Sequence, residues 1–404
     1  MSAQDTALER AAFFALAGCL GLVQFSIAAG QILFGVAALL WIALAFQERR
    51  PFAAPGFFWP LCAYAAWTLV SAAFSVDPRA SFVDCKQLVL FLMIPVVARL
   101  CRGDRAMTML SVVIAFGAVG AIVGVLQATM FGYDNLNRRP EGLLTLYMTY
   151  SGVIMLVLCA TVARLVYHRQ QWVWPAVALP ALVVALGFTL TRSAWLGAAA
   201  GVSFLCGIQR KILLLIVPLA AVLVIAFGPQ TVRDRAMSSF TGTDPASRDR
   251  LVMLQMGANI VADHPLTGVG PDMIKVVYDE YRIPAAVNLN NPHLHNVPMQ
   301  IAAERGVPAL VLWLVFIGLS ARDAWRQTLR GPAPAVAAAG LAAIVSMFVA
   351  GLFEYNFGDS EFLMLFLGLI TLPYAARLPA RTAVAAAART DTPLPAELPR
   401  PRPV

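Results

Sequence analysis

The stretch "NNPHLHNVPMQ", residues 290–300, holds two of the chain's four histidines, His293 and His295, separated by one residue. Three kinds of chemistry suit such a pair. In an extended segment, side chains at i and i+2 face the same way, which is a beginning for a metal site. A zinc site, however, wants three or four ligands at recognisable spacing, and no cysteine, third histidine or Asp-x-Asp stands nearby. The pair could instead be structural, capping the next helix and touching lipid headgroups. Or one imidazole is a general base, since a neutral ring with a pKa near 6.5 accepts a proton without a cofactor. Asn296 and Pro298 read as the start of a helix, "NVPMQIAAER", that would hold such a base against a rigid element. Further along that helix, Glu304 could orient the base or an arginine, or pair with Arg305.

Cations complete the set of reactive residue types. Arg138 and Arg139 stand in "NLNRRPEG", Arg192 in "TLTRSAWLG", and Arg248 and Arg250 in "SRDR". Arg192 falls where one apolar run ends and another begins, with Thr191 or Ser193 available as N-cap. Free N–H groups at a helix start plus a guanidinium make an anion site. The plainer reading is an arginine reaching up to lipid phosphates, with Trp195 as an interface anchor. Arginines with a histidine base, and without metal ligands, suit one reaction type. A hydroxyl gives its proton to histidine and attacks a carbon bonded to phosphate or pyrophosphate, and the guanidinium groups neutralise the departing anion.

The elements that must position these residues are membrane helices. Of 404 residues, 59% are hydrophobic and 13% charged, with a mean hydropathy of +0.72; soluble domains have about 25% charged residues. "MTMLSVVIAFGAVGAIVGVLQATMFG" (Met107–Gly132) has no charge and exceeds the ~20 residues that cross a bilayer. About twelve spans are expected, near 11–29, 30–46, 56–76, 83–100, 107–131, 143–163, 172–190, 193–209, 212–229, 297–320, 333–353 and 361–376. The first is read as a retained helix rather than a cleaved leader. The chain divides into membrane helices over 1–229, a loop domain over 230–296, membrane helices over 297–377, and a disordered tail over 378–404.

Lysine and arginine favour the cytoplasmic side of short loops. Alternate connections such as "QERR" and "RLCRGDR", with Arg10 and the tail, carry 18 of the 30 basic residues. Both termini are then cytoplasmic, and the arginines named above stand on the outer side, against the bias. The long 230–296 segment is also outer, with amphipathic stretches over Arg248–Pro265 and Pro271–Ile283 separated by the turn "PLTGVGPD". The net charge of +8 is dealt out loop by loop, which argues against nucleic acid as a partner. The six cysteines are scattered in apolar runs and read as small buried hydrophobes.

"LTRSAWLG" (Leu190–Gly197), "SRDRLVMLQMGANIVADHPLTGVGPD" (Ser247–Asp272) and "HLHNVPMQIAAERGVPAL" (His293–Leu310) together resemble the O-antigen ligase family. The resemblance implies an all-α, GT-C-like membrane glycosyltransferase of the bacterial inner membrane, with its active site facing the periplasm. It implies metal-independent, inverting transfer without cofactors. The donor would be a glycan on undecaprenyl pyrophosphate and the acceptor a sugar hydroxyl of lipid A–core. His295 and Arg192 match the family's catalytic positions, and Arg248 or Arg250 its loop arginine. His293 and Asn296, and Arg138 and Arg139 on the residue reading, are candidates for substrate contact. Two alternatives stay open: a polymerase of the same superfamily, and a transporter that binds lipid pyrophosphate. A transporter favours charges inside its spans and repeat symmetry, and neither is visible here.

Overall fold

The computed structural model describes residues 6–48, 54–238, 245–286, 288 and 290–379. Arg49, Arg50 and the expected tail from residue 380 onward lie outside them. The described chain is all-helical. In order it runs through α1 (Ala7–Leu22), α2 (Ile27–Glu48), α3 (Phe58–Ala73), α4 (Pro78–Asp84), a 3-10 stretch (Cys85–Leu92) and α5 (Met93–Leu100). Then come α6 (Arg105–Met130), α7 (Tyr147–Tyr167), α8 (Val173–Phe188), α9 (Arg192–Gln209), α10 (Ile216–Phe227) and α11 (Gln230–Met237). The long loop contributes α12 (Pro245–Asp263) and α13 (Ile274–Tyr281), and α14 (Val297–Arg330), α15 (Pro334–Gly351) and α16 (Ser360–Arg377) close the bundle.

The twelve expected apolar runs lie mostly on helix, but among the described residues seven helical segments are long and apolar enough to cross a membrane. The α3 and α8 helices have 16 residues each, or roughly 24 Å of rise, short of the ~30 Å hydrocarbon core. Large side chains such as Phe46, Phe74, Val177 and Phe227 are exposed on the bundle's outside, where lipid rather than water would meet them. α7, α15 and α16 form the buried centre. All six cysteines are free. At the N-terminal end of α1, buried Glu9 accepts from Arg99 at 3.3 Å and Arg105 at 3.0 Å. The Gly103 N–H donates to the Ala375 carbonyl, so both ends of the described chain share that side. His295 lies at the opposite side, beside the start of α16.

The loop is a second, smaller core. Met253, Met256 and Ile260 of α12 pack with Ile274 and Val277 of α13, with Leu294, and with Ala303 of α14. What fastens it to the bundle is a break in α14. Gly306 there has φ 80 and ψ 167, a conformation open essentially to glycine alone. Pro308 lacks the N–H that would pair with the Glu304 carbonyl, and its ring crowds that same carbonyl. The freed groups are taken from outside. The Ala303 carbonyl accepts from Val269 N–H at 3.0 Å and the Glu304 carbonyl from Gly270 N–H at 2.9 Å, while Val307 N–H donates to the Pro265 carbonyl at 2.9 Å. Ser71 Oγ and Trp67 Nε1 of α3 reach Glu304 O and Arg305 O. The turn "PLTGVGPD" is thus a plug in the interrupted helix, where a continuous span was expected. A Cβ on Gly306 would strike the Leu266 carbonyl. Gly306→Ala is therefore expected to cost about 2 kcal/mol or more, seen as a lower unfolding midpoint of detergent-solubilised protein; an unchanged midpoint would contradict the plug.

Candidate active site

The histidine segment is shaped by its apolar middle residue. Leu294 is fully buried in the loop core, and its N–H donates to Gln300 Oε1 at 2.6 Å. The flanking imidazoles therefore turn the other way together, with ring centroids 4.4 Å apart and planes near perpendicular. The segment is not simply extended: His295 has φ 51. Asn296 begins α14 as its sequence pattern predicted, its Oδ1 accepting from Met299 N–H at 2.8 Å. Its Nδ2 donates to the Leu352 carbonyl at 3.0 Å. Both ends of this carboxamide are thus engaged with the protein.

The two rings face a carboxylate that the sequence pattern did not assign to them. Glu354, in the 352–359 connection between α15 and α16, is 8% exposed. Its Oε1 lies 3.1 Å from His295 Nδ1 and 4.0 Å from His293 Nε2, and accepts from Tyr355 N–H at 3.1 Å. Burial alone would raise Glu354, but the hydrogen bond from His295, the charges of both imidazoles and Arg250 overcome it and hold the carboxyl at about 2. Asp359, five residues on, shows the contrast. It has Thr149 Oγ1 at 3.0 Å, and burial pushes it up to about 7. Burial also lowers His293, opposed by Glu354 and reinforced by His295.

The arginines divide. Arg250 donates from Nε to the Phe353 carbonyl at 2.9 Å, beside Glu354. The intervening Asp249 is buried and accepts from Asn288 and Asn291 at 2.8 and 3.1 Å, so one turn of α12 pins both the histidine segment and the Glu354 connection. Arg192 opens α9. Thr191 occupies the N-cap, but its hydroxyl donates to the Thr189 carbonyl at 3.1 Å and caps nothing. Arg139 stacks on Tyr147 at 4.3 Å. Burial lowers its pKa, and the charges of Arg192 and Arg250 lower it further, so each of these two arginines lies within electrostatic reach of Arg139. Arg248 is exposed, and Arg138 is exposed and stacks on Tyr133 at 4.2 Å. Glu304 serves Arg305 at 2.6 Å and Gln300 at 2.8 Å, and of its three expected roles it takes the pairing with Arg305.

This arrangement offers a proton acceptor and several cations at one end of the bundle. The donor atoms of His293, His295 and Glu354 lie within 4.8 Å of one another, so the third ligand missing near the pair in sequence is supplied from the 352–359 connection. Three such groups could hold a metal ion. The 3.1 Å spacing of Nδ1 and Oε1 is equally that of an ordinary N–H···O hydrogen bond.

The described chain is thus all-helical, with membrane-length spans and with imidazole, carboxylate and guanidinium groups brought together beside the 352–359 connection. Residues 176–314 match the family described as O-Antigen ligase, which bears out the resemblance drawn from Leu190–Leu310. A Rickettsia bellii protein named "Putative polysaccharide ligase" is 24% identical over 314 residues, spanning 72% of this chain and 74% of that protein. Glycosyl transfer is the general chemistry that the family match supports. The matched residues include Arg192, Arg250 and His295, whereas Arg139 and Glu354 fall outside them.

A folded pKa near 2, below the ordinary 4.5, means that Glu354 stabilises the fold above about pH 4.5 and loses that contribution as pH falls toward 2. The span corresponds to roughly 3 kcal/mol. Unfolding midpoints of wild type are expected to fall more steeply between those pH values than midpoints of Glu354→Gln; parallel curves would show that the carboxylate is not held ionised.

Proposed function

We propose that this protein is an O-antigen ligase, which moves a glycan from undecaprenyl pyrophosphate to a sugar hydroxyl of lipid A–core at the periplasmic face of the inner membrane. What carries this reading is that Arg250 holds the backbone beside the carboxylate that His295 touches, while the charges of Arg192 and Arg250 both reach Arg139. A lipid pyrophosphate needs several positive charges, and arginine grips phosphate oxygens in pairs. The family match over residues 176–314 narrows the class of transfer.

In this mechanism the acceptor hydroxyl loses its proton to His295 as its oxygen attacks the anomeric carbon. The bond from that carbon to the pyrophosphate oxygen breaks, and the electron pair leaves with the pyrophosphate. Attack from the face opposite the leaving group inverts the anomeric centre. The guanidinium groups of Arg192, Arg250 and Arg139 stabilise the charge that builds on the departing anion, and fixed cations do this without reorganising during the step. No metal enters the scheme, and membrane lipid surrounds the bundle.

Reconstitution tests the reading. Purified protein is supplied with lipid-linked glycan and either lipid A–core or a second lipid-linked glycan. Product on lipid A–core alone is expected; elongation of the lipid-linked glycan would make the protein a polymerase, and vectorial movement without transfer would make it a transporter. In the same assay His295→Ala should abolish turnover, and Arg192→Ala should lower it by about 10²–10³-fold. Turnover should survive chelators; activity lost to a chelator and regained with a divalent cation would replace the base by a metal centre.

A further inference from the structure

Three consecutive residues of the 352–359 connection are fastened to the elements that carry the site. Asn296 Nδ2 holds the Leu352 carbonyl at 3.0 Å, Arg250 Nε holds the Phe353 carbonyl at 2.9 Å, and His295 Nδ1 meets Glu354 Oε1 at 3.1 Å. The Tyr355 N–H, at 3.1 Å, fixes the same oxygen from the other side. A solvated loop acid would need none of this.

We propose that Glu354 is a positioning residue: by accepting from Nδ1 of His295, it selects the tautomer that leaves Nε2 bare as the proton acceptor. The proposal rests on the reading of His295 as the base. A neutral histidine side chain in water carries its proton mainly on Nε2, the wrong nitrogen for this task if Nε2 faces the acceptor. A carboxylate on Nδ1 reverses the preference and also stabilises the imidazolium formed when Nε2 takes the hydroxyl proton. Glu354 stays ionised throughout; the proton remains on the ring until it passes to water. His293 Nε2, at 4.0 Å from Oε1, is beyond hydrogen-bond reach, so His295 alone is so oriented. His295 makes this contact from a left-handed backbone conformation, φ 51.

The chain has four histidines, so nitrogen NMR on histidine-labelled full-length protein in lipid nanodiscs can be assigned by single substitutions. Above the imidazole titration, His295 should show a protonated Nδ1 and a bare Nε2 in wild type. Glu354→Ala should return it to the Nε2–H form. Glu354→Gln keeps an acceptor without charge and should retain part of the bias. In transfer, Glu354→Ala should lower kcat by about 10²–10³-fold and Glu354→Gln by about 10–100-fold, with KM changing little, and Glu354→Asp should recover part of the loss. Should the alanine variant fail to fold, the glutamine and aspartate variants carry the same comparison. A wild-type His295 bearing its proton on Nε2, or a rate indifferent to all three substitutions, would overturn the proposal. So would a His295 resonance that moves with added Zn²⁺ and reverts with chelator, because the cluster would then be a metal site. Full turnover by His295→Ala with the Nδ1–H form intact in wild type would remove the base itself and leave the pair as a structural tie. The two failures are thereby distinguishable.

Discussion

The break in α14 at Gly306 is the constraint from which the site follows. A transmembrane helix ordinarily satisfies its own backbone, because hydrocarbon offers no partners. Here the helix gives up that closure at Ala303, Glu304 and Arg305, and a loop segment more than thirty residues earlier supplies the donors for two of the three. The cost of interruption is offset only when the 265–272 turn is seated, so the loop core and the bundle are not independently placed. That core includes Leu294 and Ala303. Seating the turn therefore also sets where the histidine segment enters α14. Val297 to Arg305 is a run of nine residues, about two and a half turns, so the first part of α14 is a rigid arm between the plug and the imidazoles.

Charge arranges the other half of the site. An isolated carboxylate taken out of water would be neutral, as burial of Asp359 shows by pushing it to about 7. Glu354, more secluded still, is held ionised by the His295 hydrogen bond, the two imidazole charges and Arg250. The same arginine bears on Arg139, and Arg139 on Arg192. Like charges brought this close repel, and the pKa of Arg139 is lowered first by burial and then further by these two neighbouring charges. A constellation of this kind is stable in a protein only if something anionic balances it. Glu354 balances part of it, and a polyanionic substrate would complete the balance.

Much of this was legible in the chain, and the reasons for the gaps are specific. Apolar runs mark helices because lipid and core demand them, although α3 and α8 came out shorter than a bilayer is thick. The N-cap at Asn296 was legible because an asparagine before Val-Pro has few other readings. The interruption of α14 was not drawn, although Gly306 and Pro308 stand in plain view, because membrane helices tolerate both residues. What decides is the partner turn, and no local pattern in either segment names the other. Glu354 lies 59 residues from His295 in a short connection where acids are ordinarily solvated, and its burial follows from how α15 and α16 pack. Thr191 had the right type and place for a cap, but its hydroxyl went to the Thr189 carbonyl, a competition that short polar side chains always carry.

The alternation His-Leu-His shows why the residues of the site lie where they do in sequence. One apolar residue between two polar ones is the smallest pattern that anchors a segment and aims both neighbours the same way. Leu294 does the anchoring without any hydrogen bond of its own side chain, so both imidazoles are left to face Glu354. Had the pair been adjacent, one ring would have entered the loop core. Had it been spaced as on a helix, both rings would have belonged to α14 and lain along its face, away from the 352–359 connection. The single intervening leucine is therefore what lets one carboxylate oxygen stand close to both rings while Arg250, one turn of another helix, secures the backbone beside it.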